Sequence, residues 1–178
     1  VMFVDYTASP VGPYREVLYI PGRYRFGGAL RWSIERIYVS TWASVVNGRR
    51  NWGIPKDRAD FDREPEDAGH DRYRVTVDGE PVASLDVTGH GPAFPLPRWL
   101  TPPGFRRLTQ DYSGQRFSLA PEAFGRIRYA RVRAFTANPE TFADLGAGDV
   151  RAAVAVPEFR MRFPVATTEP CDPNAAAP

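Results

Sequence analysis

Residues 72–87, RYRVTVDGEPVASLDV, carry the clearest structural signal of the sequence. Tyr73 and Val75 alternate with polar residues, which is typical of a β-strand with one buried face. Asp78 and Gly79 follow, and this pair favours a type I′ turn because both central residues of that turn need positive φ. A second strand-like run completes the stretch. We therefore predict a β-hairpin here.

Short strand-like segments recur along the rest of the chain. The 18 prolines and 15 glycines divide the 178 residues into short pieces, which favours strands over long helices. Further strands are predicted at residues 16–20, 34–41, 127–135 and 158–163, the last with apolar residues alternating with arginines. So many short strands predict a mainly β fold with a few short helices, arranged as an antiparallel barrel or sandwich.

Helical pattern is scarce, and the best candidate is a short helix over residues 41–46. Ser40 or Thr41 would serve as its N-cap, because their hydroxyls accept hydrogen bonds from the first free N–H groups. The pair Asn47-Gly48 would end it, since these residues adopt the left-handed conformation with little strain.

The length of the chain fits one domain, which buries on the order of 70% of its unfolded surface. We predict a single domain over residues 1–168 and a disordered tail over residues 169–178 (EPCDPNAAAP). Residues 64–71 are acidic, lack an apolar period and are predicted to form a solvated loop. The sequence starts at Val1, without methionine and inside a strand-like run, so we expect further N-terminal sequence to be missing.

The composition excludes several classes of protein. Hydrophobic residues make up 43% and aromatic residues 13% of the chain, which excludes a mostly disordered protein. A net charge of +2 excludes nucleic-acid binding by bulk charge. The sequence has no apolar run of about 18 residues, so we predict no transmembrane helix and no membrane partner. Cys171 is the single cysteine, which suits a reducing compartment, and we predict a cytoplasmic protein.

Lys56 is the sole lysine among 23 basic residues, so the other 22 are arginines. A lysine amine can lose its proton and attack a carbonyl carbon, whereas a guanidinium stays charged. In residues 51–56, NWGIPK, Gly53 and Pro55 fix the backbone while Trp52 and Ile54 supply apolar walls. Burial of this kind lowers the pKa of a lysine, as a Schiff-base lysine requires. The alternative is a chance surface lysine beside ordinary core residues.

Two segments resemble acetoacetate decarboxylases and their superfamily. Residues 48–56, GRRNWGIPK, are similar to the family's Gly-Arg-Glu…Pro-Lys segment, in which the lysine after proline forms a Schiff base. Residues 12–16, GPYRE, are similar to the Gly-x-Tyr-x-Glu segment, whose glutamate lies in the active site. Residues 9–14 and 38–40 resemble sequences of a less-characterised branch. The resemblance extends over residues 1–61, continues more weakly as strand pattern, and implies a β-barrel or cone around a buried pocket.

The resemblance also implies roles for individual residues. Lys56 would attack a small keto acid or other carbonyl substrate, and Glu16 would move protons or hold the carbinolamine. Arg49 would orient a substrate carboxylate, and Tyr14 and Trp52 would line the substrate site. This chemistry needs no cofactor and no metal. The family forms oligomers, so a homo-oligomer is expected.

Two questions stay open in the sequence. The decarboxylases have a second lysine where this chain has Asp57, so both decarboxylation and aldol or dehydration chemistry are candidates. A carboxylate at this position would raise the pKa of Lys56, unless it points away and Arg49, Arg50 or Arg58 supplies positive charge. A non-catalytic β-barrel that binds a small apolar ligand is the alternative function.

Overall fold

The structure is a computed structural model and describes residues 1–66, 70–96 and 107–171. These residues contain fourteen β-strands, one α-helix and a short 3-10 helix, so the prediction of a mainly β fold is confirmed. The chain divides into two compact units. Unit 1 contains the described residues of Val1–Asp57, Arg98–Ala123 and Met161–Pro178, and unit 2 those of Arg58–Pro97 and Phe124–Arg160.

The elements are numbered in the order in which they follow one another along the chain. They are β1 (Met2–Tyr6), β2 (Tyr14–Tyr19), β3 (Arg23–Phe26), β4 (Ala29–Trp32), β5 (Arg36–Val39), α1 (Trp42–Trp52), β6 (Lys56–Arg58), β7 (Asp60–Glu66), β8 (His70–Val77), β9 (Glu80–Pro95), β10 (Leu108–Tyr112), β11 (Gln115–Leu119), β12 (Glu122–Ala137), the 3-10 helix (Ala147–Asp149), β13 (Ala153–Arg162) and β14 (Thr167–Pro170).

The first sheet of unit 1 has the strand order β1-β2-β5-β6. Strands β1 and β2 are antiparallel, with Tyr6 opposite Tyr14, and β2 pairs antiparallel with β5, with Glu16 opposite Val39. Side chains two residues apart on a strand lie on the same face. Tyr14, Glu16 and Leu18 of β2 therefore share one face with the residues opposite them.

Helix α1 packs on this face of the first sheet. Val45 of the helix belongs to the same buried cluster as Leu18 and Val39 of the sheet, and Ile54 after the helix belongs to it as well. Full burial of such a side chain contributes about 1.5–3 kcal/mol to folding. This packing holds the helix in a fixed position above the face that carries Glu16.

The helix begins as predicted but ends later. The Thr41 side chain accepts a hydrogen bond from the backbone N–H of Ser44, which confirms the N-cap. The expected end at Gly48 is wrong, because Gly48 stays helical and the chain turns left-handed at Gly53, with φ 61°. The N–H of Gly53 bonds to the carbonyl of Arg49 and so closes the last turn.

The second sheet of unit 1 has the strand order β14-β11-β10-β4-β3. Strand β14 pairs antiparallel with β11, with Glu169 opposite Arg116. Glu169 and Pro170, expected to open a disordered tail, therefore belong to a strand, because the edge of β11 offers them backbone partners. Residues 172–178 lie outside the described part, and the prediction of one domain over residues 1–168 stays a prediction.

Unit 2 is built on a sheet with the order β13-β12-β9-β8-β7. Strands β8 and β9 form the predicted hairpin, and Asp78 and Gly79 at its turn have φ values of 52° and 85°. The predicted solvated loop at 64–71 is wrong, because Glu64 lies in β7 and pairs across the strands with Arg74 at 2.7 Å. Opposite charges on neighbouring strands stabilise this pairing. Residues 67–69 lie outside the described part.

The strands predicted at 127–135 and 158–163 lie largely within β12 and β13. In β13 the exposed Arg160 and Arg162 flank the half-buried Met161, as the alternation predicts. Within the described ranges, no helix has the length and apolar character that crossing a membrane requires.

Candidate active site

Lys56 is a buried lysine that contacts a buried glutamate. It opens β6, and 5% of its surface is exposed. Its Nζ donates a hydrogen bond to Oε2 of Glu16 at 2.7 Å and a second one to Oγ of Ser44 at 3.2 Å. The structure thus brings together the two residues that the sequence assigned to catalysis.

Three elements position this pair. Glu16 lies on the face of β2 that α1 covers, Lys56 enters from β6 at the edge of the same sheet, and Ser44 comes from the first turn of α1. An isolated charge in such a place is costly, so buried ions are retained in pairs with further hydrogen bonds. Lys56 and Glu16 satisfy this requirement for each other.

Gly48 makes room for the lysine stem. It lies in the interior of α1, where a Cβ atom would come within 2.6 Å of Cδ and 2.8 Å of Cε of Lys56. A contact this short does not occur between real carbon atoms. Gly48 does not end the helix as predicted, and its lack of a side chain lets the Lys56 stem lie directly against the helix.

Two tyrosines complete the surroundings of Lys56. The Tyr14 ring lies 5.0 Å from Nζ, close enough for a favourable cation–π interaction. Tyr6, opposite Tyr14 on β1, stacks on it with ring centroids 4.6 Å apart. The hydroxyl of Tyr6 donates to the sulfur of Met161 at 3.4 Å. The predicted site residue Tyr14 is thus adjacent to Lys56, together with Tyr6, which sequence reasoning missed.

The protonation of Lys56 differs from the expectation. Burial lowers the pKa of its amine, but the charge of Glu16, the Tyr14 phenol and the hydrogen bonds with both together outweigh it, so the pKa is raised. The predicted lowering by desolvation is therefore wrong for this state. Lys56 is therefore an ammonium ion at neutral pH, paired with the carboxylate of Glu16.

The buried Tyr6 and the half-buried Tyr14 both hold their protons firmly. Burial is the main cause of the raised pKa of Tyr6, and the charge of Glu16 adds to it. Burial and Glu16 also raise the pKa of Tyr14, against a smaller opposing effect of Lys56 and of a hydrogen bond with Ser44. Both phenols are neutral at physiological pH and are available as proton donors.

Asp57 does not share the environment of Lys56. Adjacent residues of a strand point to opposite faces, and Asp57 is exposed where Lys56 is buried. Its carboxylate pairs with the guanidinium of Arg49, whose Nε also donates to the backbone carbonyl of Lys56 at 2.8 Å. Of the two expected alternatives, the carboxylate that points away is the one observed.

Arg49 and Trp52 make contacts with their immediate surroundings. Arg49 ties the end of α1 to β6 through Asp57, and its role in substrate binding stays a prediction. Trp52 donates from Nε1 to the carbonyl of Pro164 at 2.9 Å and packs on the ring of Phe163, with centroids 5.4 Å apart. These contacts give Trp52 a structural function, and its predicted contribution to the substrate site also stays a prediction.

Ser44 is the second residue that sequence reasoning missed. It is 2% exposed, and its hydroxyl contacts the lysine rather than solvent. Its position three residues after the N-cap Thr41 places it in the first turn, where serine is common for reasons of local hydrogen bonding. A serine at this position is therefore explained by the helix start alone, and nothing in the local sequence indicated its contact with Lys56.

Comparisons with known proteins show which solved structures have a similar fold. No protein-family model and no curated protein matches the sequence. The chain is similar to an acetoacetate decarboxylase from Legionella pneumophila subsp. pneumophila strain Philadelphia 1, with a TM-score of 0.67 and 12% sequence identity over 95% of this chain and 72% of that one. A second acetoacetate decarboxylase structure gives a TM-score of 0.59 and 14% identity over 89% and 68%.

A third solved structure is that of the enduracididine biosynthesis enzyme MppR, complexed with the condensation product of pyruvate and imidazole 4-carboxaldehyde. It matches with a TM-score of 0.52 and 15% identity over 84% of this chain and 60% of that chain. At these identities the likeness concerns the fold. The chain has the fold of the acetoacetate decarboxylase structures.

Proposed function

We propose that this protein is an acetoacetate decarboxylase-like lyase in which Lys56 forms a Schiff base with a small keto acid or other carbonyl substrate. The observation that carries the proposal is the 2.7 Å contact between the buried Nζ of Lys56 and Glu16. A titratable pair held out of water beside neutral phenols is typical of acid–base chemistry. The fold and the residues that resemble the family support the same assignment.

The first step is the release of the lysine amine. The ammonium ion gives one proton to the carboxylate of Glu16, and the neutral Nζ attacks the substrate carbonyl carbon to form a carbinolamine. The carbinolamine then loses its hydroxyl as water, with the proton that Glu16 had accepted. The product is an iminium ion beside a carboxylate, so the charge of the resting pair is restored.

The iminium ion serves as an electron sink for the next bond to break. A β-carboxylate leaves as carbon dioxide, or a proton on the adjacent carbon leaves and opens aldol and dehydration chemistry. The fold relation to acetoacetate decarboxylase supports the first course, and the relation to MppR, with its bound condensation product, supports the second. In both courses Glu16 is the nearest base to the reacting nitrogen.

The proposal extends to the assembly and location of the enzyme. We propose a homo-oligomer, as the resemblance to the family implies, that acts in the cytoplasm on a small molecule without a cofactor. A binding barrel without catalysis is the competing function, and Lys56 distinguishes them. In an enzyme the amine is consumed and regenerated at each turnover, whereas in a binding module its replacement barely alters affinity.

A substrate panel tests the proposal. The protein is incubated with β-keto acids, with α-keto acids, and with α-keto acids plus an aldehyde, and carbon dioxide and condensation products are measured. We expect turnover of at least one class, its loss in Lys56→Arg and Lys56→Met, and its retention in Asp57→Asn, which changes the exposed neighbour. Turnover that survives in Lys56→Met would contradict the proposal, as would its absence with every class.

A further inference from the structure

A cavity of about 310 Å³ lies on the second sheet of unit 1, and no step of the chemistry proposed for Lys56 uses it. We propose that this cavity is a second ligand site, which binds the carboxylate of a small organic acid between the guanidinium groups of Arg31 and Arg116. Cavities that hold small ligands begin at about 300 Å³, so the volume suits an acid with a short carbon chain. The proposal does not depend on the function proposed for Lys56.

The polar residues that line the cavity share one face of the second sheet. Thr109 of β10 lies opposite Ser118 of β11, and Arg116 of β11 lies opposite Glu169 of β14. Side chains two residues apart on a strand lie on the same face, so Arg116 and Ser118 point to the same side. All four residues line the cavity, which therefore spans three neighbouring strands.

The other face of this sheet belongs to the core of unit 1. Leu108 of β10, whose partner on β4 is Trp32, belongs to the buried cluster that contains Val45 of α1. Thr109 and Arg31, the sequence neighbours of this pair, therefore point to the opposite face and line the cavity. The cavity is thus separated by the sheet from the helix that covers the candidate active site.

Arg116 is held so that one of its nitrogens faces the cavity. Its Nε and Nη2 donate to the two carboxylate oxygens of Asp111 at 2.8 Å and 2.9 Å, which fixes the guanidinium plane. Over the described part of the chain, Nη1 makes no hydrogen bond. It lies 3.8 Å from Oε1 of Glu169, and a Cβ atom on Gly27 would come within 3.2 Å of it. Glu169 and Gly27 both line the cavity, so Nη1 is the atom that Arg116 offers to a ligand.

Arg31 is a half-buried arginine on the wall of the same cavity. Within residues 1–66, 70–96 and 107–171, its guanidinium has neither an ion pair nor a hydrogen bond. Partial burial of a charge without a counter-charge is costly, and an anion bound in the cavity would remove that cost. Arg31 therefore supplies the positive charge that a ligand would neutralise.

The charges around the cavity favour a monoanion. Arg31 and Arg116 carry two positive charges, and Asp111 and Glu169 carry two negative charges. The surroundings are therefore close to neutral before a ligand binds, and a dianion such as phosphate would leave a larger net negative charge than a monocarboxylate. The planar fork of a guanidinium also matches the two oxygens of a carboxylate.

Two hydroxyls and an apolar wall complete the cavity. Oγ1 of Thr109 and Oγ of Ser118 lie 3.3 Å apart, and each hydroxyl has one proton to donate. Their mutual hydrogen bond uses one of the two protons and leaves the other for a ligand oxygen. Phe26 and Ala29 supply apolar surface for the carbon chain of the acid.

An NMR titration of the full-length protein with butyrate tests the assignment. Butyrate has a carboxylate and a short carbon chain but no keto group, so it cannot form a Schiff base at Lys56. We expect saturable shifts of the backbone N–H signals of residues 29–31 and 116–118. Inorganic phosphate, added at the same ionic strength, should bind more weakly than butyrate.

Three variants locate the binding. Arg31→Gln is expected to raise the Kd of butyrate at least about tenfold, as for the loss of a hydrogen bond to a charged group. Ala29→Leu fills part of the cavity without a change of charge and should also weaken binding. The matched control is Arg25→Gln, which removes the same charge from an exposed residue of β3 outside the cavity lining and should bind butyrate as the wild type does.

Several outcomes would overturn the second site. Absence of saturable shifts in the wild type, or shifts confined to residues around Lys56, would show that the cavity does not bind the acid. Unchanged affinity in both Arg31→Gln and Ala29→Leu, or an equal loss in Arg25→Gln, would do the same. Tighter binding of phosphate than of butyrate would overturn the assignment to a monocarboxylate. None of these results bears on Schiff-base formation at Lys56, which borohydride trapping tests separately.

Discussion

Lys56 and Glu16 are 40 residues apart in the sequence, yet Nζ of the lysine lies 2.7 Å from Oε2 of the glutamate. The strand order β1-β2-β5-β6 produces this contact, because it sets the strand that carries Glu16 and the strand that carries Lys56 on either side of β5. Helix α1 packs on the same face of the sheet and covers the pair. The contact is a buried ion pair, with 5% of Lys56 and 4% of Glu16 exposed.

Glu16→Gln is expected to destabilise the protein at pH 7. The variant keeps the size of the side chain but leaves the Lys56 ammonium buried without a counter-charge, and breaking one side of a buried pair costs about 3–5 kcal/mol. Loss of the lysine proton relieves part of this cost, since burial alone lowers the pKa of Lys56. Urea denaturation monitored by circular dichroism measures the difference.

The double variant Glu16→Gln, Lys56→Met is the control for that measurement. Removing both charges is expected to recover most of the stability, because neither side chain then needs a buried counter-ion. A single variant as stable as the wild type would show that the two side chains are hydrated in solution rather than paired.

Stability is expected to fall at alkaline pH. Lys56, Tyr6 and Tyr14 all have a raised pKa in the folded protein. Each group therefore holds its proton more tightly when folded. Its contribution is complete below the unfolded pKa, about 10 for tyrosine and about 10.4 for lysine, and it is lost as pH rises through the folded value.

The measurement for this prediction is the urea midpoint between pH 8 and pH 12, compared with that of Tyr6→Phe. Removing one titrating phenol should make the decline above about pH 10 less steep. Parallel curves for the two proteins would argue against a buried, proton-retaining Tyr6.

Gly48→Ala is expected to impair the site even though alanine is the better helix former. The helical preference for alanine is worth about 1 kcal/mol. The added Cβ, however, would meet the middle of the Lys56 stem at 2.6 Å, and this side chain is held at its far end by Glu16 and Ser44. The rate of adduct formation at Lys56 should fall by at least about tenfold, a displacement cost of about 1.4 kcal/mol.

The outcome is measured by trapping with borohydride at several substrate concentrations. The control is Ala143→Gly, at a buried residue of unit 2. Gly28→Ala in the β3–β4 connection is not suitable, because Gly28 has φ +86° and an alanine there would be strained. An unchanged trapping rate in Gly48→Ala would mean that the lysine stem does not lie against the helix.

Asp57→Asn is expected to change little. The carboxylate is exposed and pairs with Arg49 on the opposite side of β6 from the amine, and pairs of this kind contribute about 0–1 kcal/mol. The pH dependence of adduct formation at Lys56 should therefore match that of the wild type. A shift in that dependence would place the carboxylate near the amine.

The sequence predicted the parts of this structure that depend on local chemistry. The hairpin at Asp78-Gly79 follows from the positive φ of both residues, and the N-cap at Thr41 follows from its hydroxyl. Lys56 was identified as the single lysine of the sequence, in a segment with apolar neighbours, and together with Glu16 through the resemblance of short segments to a family. Apart from the lysine count, each of these signals lies within a few neighbouring residues.

The features that were not predicted depend on contacts between residues that are distant in the sequence. Tyr6 enters the site because the register of β1 sets it opposite Tyr14, and register is not readable from either strand alone. Glycine is typical of helix ends, but Gly48 lies inside α1 and makes room for the Lys56 stem. The raised pKa of Lys56 likewise required the position of Glu16, which no local pattern contains.

The most direct test of the account is chemical trapping of the wild-type protein. It is incubated with a β-keto acid or an α-keto acid, reduced with borohydride, digested and analysed by mass spectrometry. The account predicts a stable adduct with the mass of the reduced imine on Lys56, and none in Lys56→Arg. Failure of every carbonyl substrate to add mass at Lys56, or an adduct confined to the N-terminal amine, would contradict it.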